Sequence, residues 1–501
     1  MVETRASWSL LAVFGAAFAA KLLLIPGYHS TDFEVHRNWL AITHSLPVRD
    51  WYYETTSEWT LDYPPFFAWF EWALSHAAQL ADPAMLVVGN LDHASFATVA
   101  FQRISVSLTD AIIPLGLLVY FSVDPLAHMA GPLAVLNAGL WIVDHIHFQY
   151  NGFMFGLLIA SIGCFRQGWT YTGAALFAAL LNFKHIYLYI APAIFVYLLS
   201  SFCFEGGRFR FGRFAGLGAT VATVFALSIG PFAAHGPQLL SRLFPFKRGL
   251  FHAYWAPNAW ALYAFADRAL IKVLPRLGVH VMPIASSTRG LVGDVEFAVL
   301  PPVLPIHTLI LTVLGMLPFL WRLWRNPTSS GLVRGIVHCA FASFIFGWHV
   351  HEKAVLNMII PLSLIALESY ELGQIYFVLT TLGTYALFPM LIDPADTMLR
   401  WSILVAGSGL AWCLLDVHHR RVSGRPFALP SVAAYYLLGL LPLEWFVTIG
   451  HPILFGATRL PFLPLMMVSV YGAIGMVGCW VWFACLESDP ASALVRGRIS
   501  K

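Results

Sequence analysis

A chain of 501 residues in which only 11% are charged and 58% are hydrophobic is not a soluble globular protein, a class that carries roughly 25% charged residues. Mean hydropathy is +0.71, and the apolar runs are long and continuous, without the alternation of a membrane barrel, so the expected fold class is an all-α polytopic membrane protein. The net charge of +3 with scattered basic residues gives a nucleic-acid partner no footing.

An apolar run from about Trp8 to Pro26 lacks a small-residue cleavage site, so it reads as an uncleaved first helix. The loop that follows is acidic and crowded with aromatics. Nine of the 26 acidic residues lie between Asp32 and Asp92, against Arg37 and Arg49 as the basic ones. Within it, Thr31-Asp-Phe-Glu34 is a capping box that predicts a short helix. After Pro64-Pro65, the run FFAWFEWALSHAA predicts an aromatic-rich interfacial helix.

Runs near the 20 residues needed to span a bilayer predict helices at 7–25, 100–122, 126–143, 151–166, 170–183, 185–203, 214–235, 303–321, 332–348, 354–368, 373–391, 397–415, 431–449 and 463–485, about fourteen in all. Segment 257–274 carries Asp267 and Arg268 near its middle and reads as interfacial. No internal repeat interrupts the chain, which is expected to form one membrane domain over 1–501 with large loops at 27–99 and 236–302. All six cysteines lie in apolar runs or at their ends, so no disulfide framework is expected.

With the N-terminus in the cytoplasm, the basic stretches 206–213, 321–334, 418–425 and 496–501 share that side, as short cytoplasmic loops should. The same frame places 28–98, 144–151, 182–187, 235–255 and 348–353 together on the opposite face. Counting 257–274 as a span would break that agreement.

The residues fit for chemistry gather on that opposite face. Asp32 stands in the first turn of a predicted helix, as a general base or simply as favourable charge at a helix N-terminus; the capping box accounts for Glu34. His349, His351, Glu352 and Lys353 stand at a helix end, but the H-E-x-x-H zinc spacing fails because Val355 takes the second histidine's place. Asp144-His145-Ile146-His147 is a second candidate metal cluster. A solvated interfacial loop is the plainer reading of both clusters, and cations that neutralise a lipid phosphate the functional one. Lys184-His185 and Lys247-Arg248 join that role or anchor the chain at headgroups.

No Asp-x-Asp pair occurs anywhere, which disfavours metal-held nucleotide-sugar chemistry. A lipid-phosphate sugar donor needs a base for the incoming hydroxyl and cations for the departing phosphate, the inventory found here; no metal or other cofactor is expected. A transporter with a proton relay would place ionisable groups at bilayer depth rather than at helix ends beside large loops, and a non-catalytic scaffold would need no base.

Ser30-Thr-Asp-Phe-Glu-Val-His-Arg-Asn-Trp39, Trp59-Thr-Leu-Asp-Tyr-Pro-Pro65, His147-Phe-Gln-Tyr-Asn-Gly152, Phe183-Lys-His-Ile-Tyr187, Leu243-Phe-Pro-Phe-Lys-Arg-Gly249, His252-Ala-Tyr-Trp-Ala-Pro257 and Phe346-Gly-Trp-His-Val-His-Glu-Lys353 together resemble the dolichyl-phosphate-glucose-dependent glucosyltransferases of N-glycan assembly. The resemblance covers about 25–390; beyond that it is mainly one of hydrophobicity. It implies a C-type glycosyltransferase (GT-C) fold in the endoplasmic reticulum membrane, with dolichyl phosphate glucose as donor and a dolichyl-diphosphate oligosaccharide as acceptor on the luminal face. Two sister activities share the pattern. Val35-His36, His349 and the phrase HRNWLAITHSLP are closer to the one that adds the second glucose, in α-1,3 linkage to the monoglucosylated acceptor, than to the one that adds the first. By the same resemblance Asp32 matches the family's acidic base, and His349, His351 and Lys353 match a donor-binding motif. Arg37 and Arg103 are candidate phosphate partners by position, alongside Lys184.

Overall fold

The computed structural model describes residues 2–122, 129–244, 249–252, 255–279, 297–391, 394–456 and 458–488; Lys247, Arg248 and much of the expected loop 236–302 fall outside them. The described chain is mostly helical, with one small hairpin, Phe204–Glu205 against Arg208–Phe209. Among the described residues, seven helices are long and apolar enough to cross a membrane: Phe96–Phe121, Phe211–Leu243, Pro305–Arg325, Ser329–Phe346, Thr397–Ser423, Ser431–Phe455 and Leu463–Glu487. Leu10–Leu22, Asn151–Arg166, Thr170–Phe183 and Ala191–Cys203 are apolar but shorter. The protein is thus an all-α polytopic membrane protein, as its composition requires.

The chain divides into two compact units, each assembled from discontinuous segments. One comprises 1–246, 322–333 and 390–403; the other comprises 247–321, 334–389 and 404–501.

In the first unit the polar loop folds onto itself. Helix Thr31–Ser45 is capped by Ser30, whose Oγ accepts the Asp32 N–H at 3.1 Å, so the cap lies one residue earlier than the capping box predicts. Glu34 does not reach back to the cap; it takes Arg37 in a bidentate pair, at 2.6 and 2.7 Å. Helix Pro65–Ala81 begins with proline at its first position, where the missing N–H costs nothing. The two helices pack through a core of Leu40, Ala78, Met85 and Leu86.

Several expected spans are not continuous α-helices, and 126–143 and 354–368 show how. The run 126–143 is a short helix Gly131–Val135, a break at which Asn137 Oδ1 accepts the Leu140 N–H, and a π-helical segment Trp141–Phe148. The π-helix carries Asp144 and His145 into the protein interior, where Asn151 and the Gly152 N–H meet Asp144 and Asp110 meets His145; Asp110 is itself shared. Its Oδ2 takes Lys21 Nζ at 2.5 Å and His145 Nε2 at 2.8 Å. An ionised group this deep persists only when paired. The run 354–368 yields only Leu356–Ser363, with Pro361 inside it.

Helix Ile112–Phe121 packs tightly against Asn151–Arg166 because glycines face each other. A Cβ on Gly116 would stand 2.6 Å from the Gly156 carbonyl oxygen, and one on Gly156 would stand 2.6 Å from the Ile112 carbonyl carbon. Small residues that let backbones touch are how helices associate where lipid removes the hydrophobic drive.

In the second unit helix Leu463–Ser488 packs on Tyr370–Tyr385 and on Ala259–Val273. Arg334 is buried between Glu487 and Glu368, each at 2.7 Å. Segment 257–274 is the helix Ala259–Val273, and Asp267 does not face outward. Its carboxylate accepts the backbone N–H groups of Ala298, Val299 and Leu300 at 3.1, 2.8 and 2.8 Å, so it fixes the segment that leads into Pro305–Arg325.

Gly156→Ala is expected to lower thermal stability in detergent by about 1–3 kcal/mol, as overpacking does. Gly478, with nothing within 4 Å of a built Cβ, is expected to accept alanine with no loss; equal melting shifts for the two variants would refute the close-contact reading.

Candidate active site

The first unit places Asp32 where two segments cross. Ser30 ties the start of its helix to the end of the π-helix: the Ser30 N–H and Oγ–H both donate to the His147 carbonyl, at 3.2 and 2.5 Å. Asp32 then lies in the first turn of a helix, where the aligned backbone dipoles favour an anion. Its side chain is 22% exposed, neither lost to the core nor fully solvated.

Two side chains meet one oxygen of this carboxylate. Gln149 Nε2 donates to Oδ2 at 2.6 Å, and His147 Nε2 lies 3.2 Å from the same atom. The network continues inward. Gln149 Oε1 accepts from Asn151 Nδ2 at 2.9 Å and from Lys184 Nζ at 3.3 Å. Lys184 also donates to Asn151 Oδ1 at 3.0 Å and sits 5.0 Å from the centre of the Tyr63 ring. Asn151 in turn donates to Asp144 at 2.8 Å. Lys184 is therefore brought to the Asp32 cluster, as a cation one amide removed from the carboxylate.

Arg37 and Arg103 have other work than the phosphate contact expected of them. Arg37 is fully buried, paired with Glu34 and donating to the Met85 carbonyl at 2.8 Å. Arg103 is buried and donates to the carbonyls of Tyr28 at 2.6 Å and Ile146 at 3.2 Å. It clamps together the two segments that carry Asp32 and His147. A guanidinium near a loop reads the same in sequence whether it serves an anion or a carbonyl.

The candidate metal cluster at 144–147 is neither assembled nor the solvated loop preferred for it, because Asp144 and His145 are buried. Asp144 is taken by Asn151 and by the Gly152 N–H at 2.6 Å, His145 turns to Asp110, and His147 alone reaches Asp32. Gln149 and Asn151 had no assigned role in the sequence, and His147 entered only as a candidate metal ligand or phosphate cation; the signal for all three was the stretch His147-Phe-Gln-Tyr-Asn-Gly152.

In the second unit a parallel bridge between Phe251 and Val350 aligns two short segments. His349 has a left-handed backbone, φ 52°; its N–H donates to the Leu250 carbonyl at 3.1 Å, and its Nδ1–H donates to the Gly249 carbonyl at 2.8 Å. That bond fixes the tautomer in the neutral ring, with Nε2 as the acceptor nitrogen. His351 Nδ1 lies 3.0 Å from Glu352 and 3.4 Å from the Lys353 N–H. Nδ1 accepts that N–H as a cap on the following turn. The His252 ring sits 4.0 Å from that of His351 and 5.4 Å from that of His349. Burial first, and then the neighbouring His351, push His252 down to about 3, so this imidazole is neutral. His349, His351 and half-buried Lys353 are thus brought together with His252. His252, His351 and Glu352 also offer ligand atoms within 4.8 Å of one another, the one such group among the described residues.

Across residues 17–483 the chain matches the model of the ALG6, ALG8 glycosyltransferase family. It is 46% identical to a Neurospora crassa protein over 96% of this chain and 99% of that one. It is 46% identical to a Bos taurus protein, with 92% of each covered, and 42% identical to one from Arabidopsis thaliana, with 94% and 96% covered. All three carry the name dolichyl pyrophosphate Glc1Man9GlcNAc2 alpha-1,3-glucosyltransferase. With nearly its whole length matched and its acidic loop folded around a hydrogen-bonded carboxylate, the chain belongs to the ALG6, ALG8 glycosyltransferase family.

Proposed function

We propose that the protein transfers glucose from dolichyl phosphate glucose to the dolichyl-diphosphate oligosaccharide that already bears one glucose, forming the second α-1,3 glucosidic link. The acceptor and linkage follow the relatives' names. The donor rests on the missing Asp-x-Asp pair and on the pairing of one base with several cations. The observation that carries the mechanism is the Asp32 carboxylate, held through Oδ2 by Gln149 at a helix N-terminus.

Asp32 takes the proton of the acceptor hydroxyl as that oxygen bonds to C1 of glucose. The bond from C1 to the phosphate oxygen breaks, and dolichyl phosphate departs with the electron pair. A phosphate leaves without protonation, so no general acid is needed, and a single displacement inverts the β-linked donor to an α-linked product. Lys184, beside the Asp32 cluster, is the cation we assign to the donor's phosphate; His349, His351 and Lys353 keep the donor-binding role that the resemblance implies. We assign the fold to the GT-C class with about fourteen spans, counting the shorter apolar segments as tilted or interrupted crossings. The membrane is that of the endoplasmic reticulum, and the side carrying Asp32 is luminal.

The test is transfer by the purified protein with dolichyl phosphate glucose and two acceptor lipids side by side, one without glucose and one with a single glucose. Elongation of only the monoglucosylated lipid is expected; elongation of only the other would reassign the protein to the first-glucose reaction. Asp32→Asn is expected to reduce turnover by about 10²–10⁴-fold in a protein that still folds and binds donor, and turnover near wild type would remove Asp32 as base. A chelator is expected to leave the rate unchanged; inhibition reversed by a divalent ion would defeat the metal-free scheme and point to His252, His351 and Glu352.

A further inference from the structure

The residue between the two partners of Asp32 is in a conformation that side chains seldom adopt. Phe148 has φ 94°, and a positive φ on a bulky residue is a true outlier. It falls where the π-helix Trp141–Phe148 ends and Gln149 becomes extended, φ −157° and ψ 174°. Had the helix run on, residues two apart would point to nearly opposite sides of its axis, and His147 and Gln149 could not share an oxygen. The left-handed residue reverses the chain so that both arrive at Asp32 Oδ2.

Packing holds Phe148 in place. The side chain is fully buried, with ring centres 5.5 Å from Phe33, 5.4 Å from His36 and 5.6 Å from Tyr150. Phe33 and His36 belong to the same helix as Asp32. The cage that holds the unfavourable backbone therefore also holds the helix that presents the carboxylate. Outliers of this kind persist where the surroundings over-determine them, and they cluster at functional sites.

We infer that Gln149 and His147 are positioning residues for the base Asp32, aimed at its Oδ2 by the left-handed, caged Phe148. This inference rests on the reading of Asp32 as base. Gln149 fixes which way the carboxylate turns, and Asn151 and Lys184 lock the Gln149 amide with its NH₂ toward Asp32, because both donate to its Oε1. The charged and titratable groups around the carboxylate are His147, Lys184, Asp144 beyond Asn151, and His29 on the entering segment. Asp62, Tyr63, Tyr187 and, beside His29, Arg103 stand there too; burial first, and then Asp62 and Asp32, raise the Tyr63 hydroxyl.

The experiment compares kcat, KM and pH profiles of the full-length protein in detergent for wild type and for the Asp32→Asn, Gln149→Ala, Gln149→Glu, His147→Ala and Phe148→Leu variants. Dolichyl phosphate glucose and the acceptor lipid identified above serve as substrates. Gln149→Ala and His147→Ala are expected to lose kcat by roughly tenfold or more with KM nearly unchanged, since orientation of a base acts in the transition state. Phe148→Leu is expected to follow them. Gln149→Glu keeps the volume but sets a second carboxylate against Asp32. Like charges this close favour protonation, so the acidic limb should move upward by about one pH unit, a shift that a purely structural role would not produce. A folded Gln149→Glu variant with the wild-type acidic limb and kcat would overturn the inference. Should Asp32→Asn itself retain turnover, the base reading falls instead; an inactive Asp32→Asn beside an unaltered Gln149→Glu overturns the positioning role alone.

Discussion

Arg103 and the His147 carbonyl hold the architecture of the first unit together at one seam. On one side of it runs the segment that leads into helix Thr31–Ser45; on the other runs the end of the π-helix. Arg103 donates to a carbonyl on each side, at Tyr28 and Ile146, and Ser30 closes the seam on His147. Only then do Asp32, His147 and Gln149 face one another. The polar loop is thus an irregular structure whose backbone groups are satisfied in three dimensions, as burial requires.

The same requirement explains the charges deeper inside. Lys21 and Asp110 lie in apolar helices, where an isolated charge is costly, and with His145 they form a single buried group. Removing one member would leave the others uncompensated, which is the severe case for a buried pair. Arg334 with Glu368 and Glu487 does the same in the second unit. These residues hold segments together, whereas the roles proposed for Asp32 and Lys353 fall to groups that keep some exposure.

Much of this could be read from the chain. Helices 151–166 and 170–183 coincide with their apolar runs, because each run is closed by polar residues at the point where the helix ends. The interruption between 136 and 150 was hidden, since hydropathy is the same whether an apolar run is α-helical, π-helical or broken by an asparagine. Charged residues announced that partners existed, but not which ones: the carbonyls met by Arg37 and Arg103 have no signature in the chain. Asp32 stands out in the sequence by its position and by its motif. Its partners do not, because a glutamine and a histidine two residues apart carry no spacing signal unless the intervening φ is known.

The glycine contact between Ile112–Phe121 and Asn151–Arg166 bears on how the protein can yield. Where backbone lies on backbone, there are no rotamers to exchange and no interdigitated side chains to slide, so this joint has little compliance. Asn151, the first residue of one of these helices, is a rooted end of the chain of amides that reaches Asp32. Whatever breathing accompanies entry and exit of a bulky lipid-linked sugar must therefore be taken up by more pliant parts of the fold, while the anchorage of the carboxylate stays stiff through the cycle.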